Sequence, residues 1–426
     1  MQITTVTTSA LERKIILGVS KMMKFIITGI IVFLCFSCQM FLNQSSKEDN
    51  NQSRLIAAFL VMNSNQFSGT FTPTGNMIHA RSFHISVKLK NGKVLIAGGG
   101  NKRGYSIFSN TAEIYDPDTG QFQATGNMNS PRGMFTATLL NSGKVLVAGG
   151  LDGYYPMKSA EIYDPNTGIW TSLSAELFSE RYNHSAVLLG DGTVLIAGGA
   201  IGTTTDQNPV ITYGAEIFDP VTESFTVTNT LNVARHTHFS TLLNDNTAFL
   251  FGGITTDNYI SNTSEIYNPI TSSFSLADGF TPMRAEINQG GTILKDGNVF
   301  LAGGLGHGNK IINSVDLFNV TTKSFVPLPS MKWVRASHSV ILLDNGNVLV
   351  AGGLSTYEPV ATGEVFDVAN KTWAITRNTM SNSRESFAMT KLDNGLVLVT
   401  GGFSKFNTTT TLDEDSNTAD LFDSSK

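Results

Sequence analysis

Six arginines stand 17 residues ahead of a glycine pair: Arg81, Arg132, Arg181, Arg235, Arg335 and Arg384. An acid recurs downstream of each pair, at Glu113, Glu161, Glu216, Glu265, Asp316, Glu364 and Asp420. Two chemistries fit this pattern. Cations gathered at the mouth of a pore form a funnel that draws in anions. A cation and an acid repeated together also suit ion pairs that tie strands or blades to each other. Histidines follow the arginine by three residues at His84, His184, His238 and His338, but the same slot holds Phe135 and Phe387. A position shared with Phe is a packing position, so no metal site is expected there.

One unit departs from the rule. Counting back 17 from Gly303 lands on Glu286, with Arg284 two residues earlier and Gln289 in the histidine slot. A single acid among cations has the makings of a general acid or base, its pKa set by those neighbours. The competing reading is local repeat decay, or a bulge that restores Arg284 to its place. Asp413-Glu414-Asp415 could help hold a cation, but also reads as a solvated acidic loop.

These residues sit on a repeat. Glycine pairs begin at Gly98, Gly149, Gly198, Gly252, Gly303, Gly352 and Gly401, giving spacings of 51, 49, 54, 51, 49 and 49 residues. A period near 50 marks an array of equivalent units that bury their faces on one another. Within residues 132–170 a first strand runs from Arg132 to Leu140, and Asn141-Ser142-Gly143 supplies a turn. Asn91-Gly92 and Asn345-Gly346 are its counterparts and strong hairpin signals. Lys144–Ala148 is an apolar strand ending at the glycines. Ala160–Tyr163 is a third strand, Asp164–Gly168 a tight turn, and Ile169 opens a fourth. Four antiparallel strands, seven times, with almost no helical period, predict an all-β radial propeller.

The glycine pair, followed by Glu-x-Tyr-Asp-Pro and then an aromatic, resembles the kelch repeat over residues 67–423. The aromatic markers are Tyr115/Phe122, Tyr163/Trp170, Phe218/Phe225, Tyr267/Phe274, Phe318/Phe325 and Phe366/Trp373. The resemblance implies a seven-bladed kelch propeller. The last unit stops after its third strand, and Gly69–Met77 resembles Gly120–Met128, a fourth strand. The N-terminal strand is therefore expected to complete blade seven, leaving no open inter-blade edge.

A net charge of −5 speaks against a general nucleic-acid binder. Both cysteines, Cys35 and Cys38, precede the repeats, so the propeller has no internal disulfide and no thiolate metal site. Lys21 and Lys24, the apolar run Phe25–Phe36 and Ser37-Cys38 resemble a bacterial lipoprotein signal, which implies lipidation at Cys38. Residues 1–38 are read as that signal, with Met22 or Met23 as alternative starts, 39–66 as a tether with a short apolar segment, and 67–426 as the propeller.

Function is expected on the face that carries the variable loops after the glycine pairs. The first reading is a lipid-anchored extracytoplasmic module, a monomer without cofactor, binding a protein or glycan through that face. The second is a carbohydrate-active enzyme. Similarity to galactose oxidase implies copper–radical chemistry, but that requires a Cys cross-linked to Tyr, and no Cys follows Cys38. Similarity to kelch epimerases of N-acetylneuraminate would instead point to Glu286 with Arg235 and Arg335.

Overall fold

The computed structural model describes residues 68–100, 107–202, 209–256, 259–277, 284–285, 290–356, 358–407 and 412–426. The signal-like segment, Cys38, the tether and Glu286 lie outside the described residues. The propeller occupies the compact unit Gln66–Lys426.

Seven four-stranded antiparallel sheets make the blades. Blade one runs Ile85–Lys88, Val94–Ala97, Ala112–Asp116 and Gln121–Ala124 from inner to outer strand. Blades two to six repeat that order. Blade seven takes its inner three strands from Ala388–Lys391, Val397–Thr400 and Ala419–Asp423. Its outer strand is Thr70–Pro73, paired in register from Thr70 with Asp423 to Pro73 with Asp420. The ring closes as its sequence ends imply.

The second strand of each blade explains the apolar run before the glycines. It is sandwiched between neighbouring blades, so all four residues are buried, as in Val145–Ala148 and Val348–Ala351. A strand covered on both faces has no reason to alternate. Seven apolar clusters fill the seven blade interfaces: Leu95 and Ala97 meet Val145 and Tyr163, and Leu398 of blade seven meets Val94 of blade one. The six aromatic pairs are cross-strand neighbours with ring centroids 4.8 to 5.0 Å apart. Phe71 and Phe422 make the seventh, at 5.0 Å, across the closure. Such pairs add to sheet stability beyond their burial.

Candidate functional site

The repeated arginines lie inside the blades. Each is at most 1% exposed. Arg81 donates from Nη2 to Glu113 Oε1 at 2.7 Å and from Nη1 to the Gly98 carbonyl at 2.8 Å. The other ion pairs are Arg132–Glu161 at 3.0 Å, Arg181–Glu216 at 2.6 Å and Arg235–Glu265 at 3.0 Å. Arg335–Glu364 closes at 3.2 Å and Arg384–Asp420 at 2.7 Å. The carboxylates also accept backbone N–H groups from the connection into the blade, as Glu113 does from Ile78 at 2.7 Å. The arginine carbonyl accepts the N–H of the preceding blade's second glycine: Gly99 to Arg132 and Gly150 to Arg181, both at 2.8 Å. Arginine, glycines and acid are thus one structural module that joins strands within a blade and blades to each other. Burial lowers each guanidinium pKa and the facing carboxylate opposes the shift. Arg384 falls to about 10, still a cation at neutral pH. Of the two chemistries the pattern suits, the ion pairs are the one formed, and as placed these guanidinium groups do not line the mouth as a funnel would require.

The histidine slot explains the first glycine. His184 Cε1 lies 2.8 Å from where a Cβ on Gly149 would sit, and Phe135 Cε1 lies 2.7 Å from the same point on Gly98. His84, His238, His338 and Phe387 lie similarly against Gly401, Gly198, Gly303 and Gly352. A flat ring packs on each bare glycine, and both His and Phe supply one. For three of the four histidines, Nε2 meets a neighbouring hydroxyl: Thr400 at 3.0 Å for His84, Thr136 at 3.0 Å for His184, Ser185 at 2.8 Å for His238. Burial drives the pKa of His84 and His184 down to about 3 and that of His238 well below its usual value. Among the described residues no three His, Cys, Asp or Glu side chains gather as a metal-binding group.

A central channel with a cavity volume of about 440 Å³ runs between the inner strands. Its mouth carries a slot that sequence reading missed, two residues after the arginine. Phe83, Met134, Asn183, Thr237, Ser337 and Ser386 all sit at φ between 50° and 54°. This left-handed backbone turns N–H groups toward the preceding blade: Asn183 donates to Met134 O at 3.0 Å and Thr237 to Asn183 O at 2.8 Å. A shared φ carried by different side chains leaves no signal in residue type. Another missed slot, four residues before the arginine, is Met77, Met128, Leu177, Leu231, Met331 and Met380, each buried between blades. Among the described lining residues the titratable side chains are histidines, so that lining offers hydroxyl and apolar groups.

Blade five shows why counting by 17 misleads. In other blades the residue after arginine bridges the residue after the glycine pair, as Ser82 bridges Gly100 and Gly133 bridges Leu151. In blade five Ala285 pairs with Leu305. Arg284 therefore holds the arginine register, and two extra residues precede the inner strand. Glu286 follows that pair and lies outside the described residues. Arg235 and Arg335, its suggested partners, are buried in their own ion pairs.

The arginines and the variable loops share one face; the short turns take the other. In blades two to four these loops form small hairpins. Asp152 N–H donates to Tyr155 O at 3.1 Å, Ala200–Ile201 pairs with Val210–Ile211, and Thr255 N–H donates to Tyr259 O at 2.8 Å. Leu151 of the first and Ala200 and Ile211 of the second join Phe108, Tyr182 and Ala234 in a separate apolar cluster. Above it Tyr154, Tyr155, Tyr213 and Tyr259 are 46 to 73% exposed, together with Phe178 and Val210. Large aromatic side chains left in solvent on neighbouring loops are the composition of a binding surface.

The kelch motif matches residues 89–129 and 132–175, so kelch motifs are present in this chain. Curated relatives include an F-box/kelch-repeat protein of Arabidopsis thaliana, 28% identical over 118 residues, 28% of this chain and 29% of that protein. The kelch repeat-containing protein kel-10 of Caenorhabditis elegans is 31% identical over 114 residues, 26% of this chain and 19% of that protein. The match thus spans under a third of those relatives' length. Among solved structures, a fungal alcohol oxidase in complex with copper aligns with a TM-score of 0.65 at 15% identity, covering 84% of this chain and 76% of that one. YjhT aligns at 0.55 with 13% identity, covering 71% and 99%. At such identities the likeness shows the fold alone. The chain is a seven-bladed β-propeller that carries kelch motifs.

Proposed function

We propose that this protein is an exported, lipid-anchored recognition module that binds a macromolecular partner, protein or glycan, through the loop face. The observation that carries the reading is the set of exposed aromatic side chains on hairpins, two of which rest on their own apolar cluster. Kelch motifs support a binding role, and closure of the ring within one chain supports a monomer. The anchor rests on Lys21, Lys24, the apolar run Phe25–Phe36 and Ser37-Cys38. Burial of Arg235 and Arg335 weighs against the epimerase alternative, because neither is open to a carboxylated sugar.

A thermal-shift panel of acidic sugars, neutral glycans, peptides and matrix proteins tests the binding role on the full chain. A macromolecular hit weakened by Tyr155→Ser or Tyr259→Ser supports it. A hit confined to small acidic sugars and indifferent to both substitutions contradicts it. For the anchor, Cys38→Ser is expected to move the protein from the membrane to the soluble fraction and to abolish fatty-acid labelling. Retention of the label would contradict Cys38 as its site.

A further inference from the structure

We propose that Asn91, Asn345 and Asn394 are deamidation sites that the folded propeller holds shut. Each is converted to aspartate or isoaspartate only when the inner hairpin of its blade opens.

The sequence has three Asn-Gly pairs, and all three are turns between the first and second strands, in blades one, six and seven. The turn itself favours both residues. Gly92, Gly346 and Gly395 stand at φ 80°, 89° and 80°, a left-handed backbone that glycine adopts at no steric cost. The asparagine carboxamide accepts the N–H two residues on: Lys93 donates to Asn91 Oδ1 at 3.1 Å, Asn347 to Asn345 at 3.0 Å and Leu396 to Asn394 at 3.1 Å. In an open chain the same pair is prone to lose its side-chain amide, because glycine has no side chain to shield its nitrogen.

The reaction is an attack of the glycine nitrogen on the Cγ of the asparagine before it. The nitrogen gives up its proton, a bond forms from it to Cγ, the Cγ–Nδ2 bond breaks, and ammonia leaves. The five-membered imide then takes up water at either carbonyl and opens to aspartate or isoaspartate.

The fold blocks the attack and leaves solvent access open. All three asparagines are exposed, so water reaches their carboxamides. The nucleophile is what the turn ties down. Gly92 N–H donates to Leu89 O at 3.1 Å, Gly346 to Leu343 O at 3.0 Å and Gly395 to Leu392 O at 3.2 Å. Those leucines are buried in the blade interfaces. With the glycine N–H and the carboxamide oxygen both bonded, the turn must open before nitrogen reaches Cγ. Opening it pulls on a core leucine, and local opening of such an element costs free energy.

The two products differ in what they do to the turn. Asp191-Gly192 and Asp296-Gly297 fill the same slot in blades three and five, where Oδ1 accepts Thr193 N–H at 2.9 Å and Asn298 N–H at 3.0 Å. Aspartate therefore fits. Isoaspartate adds a methylene to the backbone and disturbs the register of the two strands.

The test is peptide-mapping mass spectrometry of the full chain held at mildly alkaline pH, folded in one sample and in urea in the other. In urea, Asn91, Asn345 and Asn394 should convert ahead of the other asparagines. In the folded sample they should convert about tenfold more slowly or less, because only the open fraction reacts. Hydrogen exchange should show the amides of Gly92, Gly346 and Gly395 protected. Asn345→Asp, which writes in the aspartate product, should melt with the unaltered chain. Equal rates in the two samples would overturn the proposal, as would conversion of other asparagines in urea while these three stay intact. Slow conversion with freely exchanging glycine amides would overturn it too, since the named bonds would then not be the cause. A lowered melt for Asn345→Asp would overturn the fit of aspartate in the slot.

Discussion

The buried belt of arginine, glycine and acid and the hairpin tips beyond it sit on the same face of the ring, yet follow opposite rules. The belt repeats: six arginines make six ion pairs, and flat rings pack on glycines from blade to blade. The tips do not repeat, and they hold the exposed tyrosines of this face. Residues that recur in every unit solve a problem that every unit shares, namely how to join its neighbours. Recognition needs a surface that differs from place to place, so it falls to the residues that break the repeat.

The largest expected effect breaks the belt. Arg335→Met leaves Glu364 charged and buried, and should destabilise the fold by about 3–5 kcal/mol in a denaturant melt. Next comes Gly149→Ala. The glycine is at φ 60°, and an added Cβ would sit 2.6 Å from Arg181 O and 2.8 Å from His184 Cε1. A loss of about 1–3 kcal/mol is expected. An unchanged melt would mean that the ring does not pack as described.

Acid sharpens the same comparison. A histidine held at about 3 in the folded chain, and near 6.5 unfolded, takes up its proton on unfolding. Its contribution to stability is full above about pH 6.5 and is lost as pH falls toward 3. By pH 5 the loss should be about 1–2 kcal/mol for each such histidine. His184→Phe, which copies the ring found at Phe135 and Phe387, should keep the fold at neutral pH and flatten that acid dependence. The smallest effect on stability belongs to the tips: Tyr155→Ser and Tyr259→Ser should each change it by less than about 0.5 kcal/mol.

Architecture was legible because the repeat made it so. Spacing gave seven blades, and the likeness of Gly69–Met77 to Gly120–Met128 gave the closure that Phe71 and Phe422 complete. The histidines were legible as packing groups because Phe shares their slot. The arginines were harder: their recurrence suits both a pore lining and a buried pair, and residue type alone does not say which way a side chain points. In blade five the bulge that restores Arg284 was one of two readings, and the pairing of Ala285 with Leu305 favours it. The mouth residues stayed hidden because their shared property is a backbone angle that Phe, Asn and Ser all adopt there. The tyrosines stayed hidden because no repeat marks them.

The central claim is that recognition lies on the unrepeated tips. Oxidative footprinting of the full chain, with and without a bound macromolecular partner from the panel, tests it most directly. The account predicts protection of Tyr154, Tyr155, Tyr213 and Tyr259, with no change at Val221 and Ile270 on the turn face. Protection at Val221 and Ile270 with the tyrosines still reactive would contradict it.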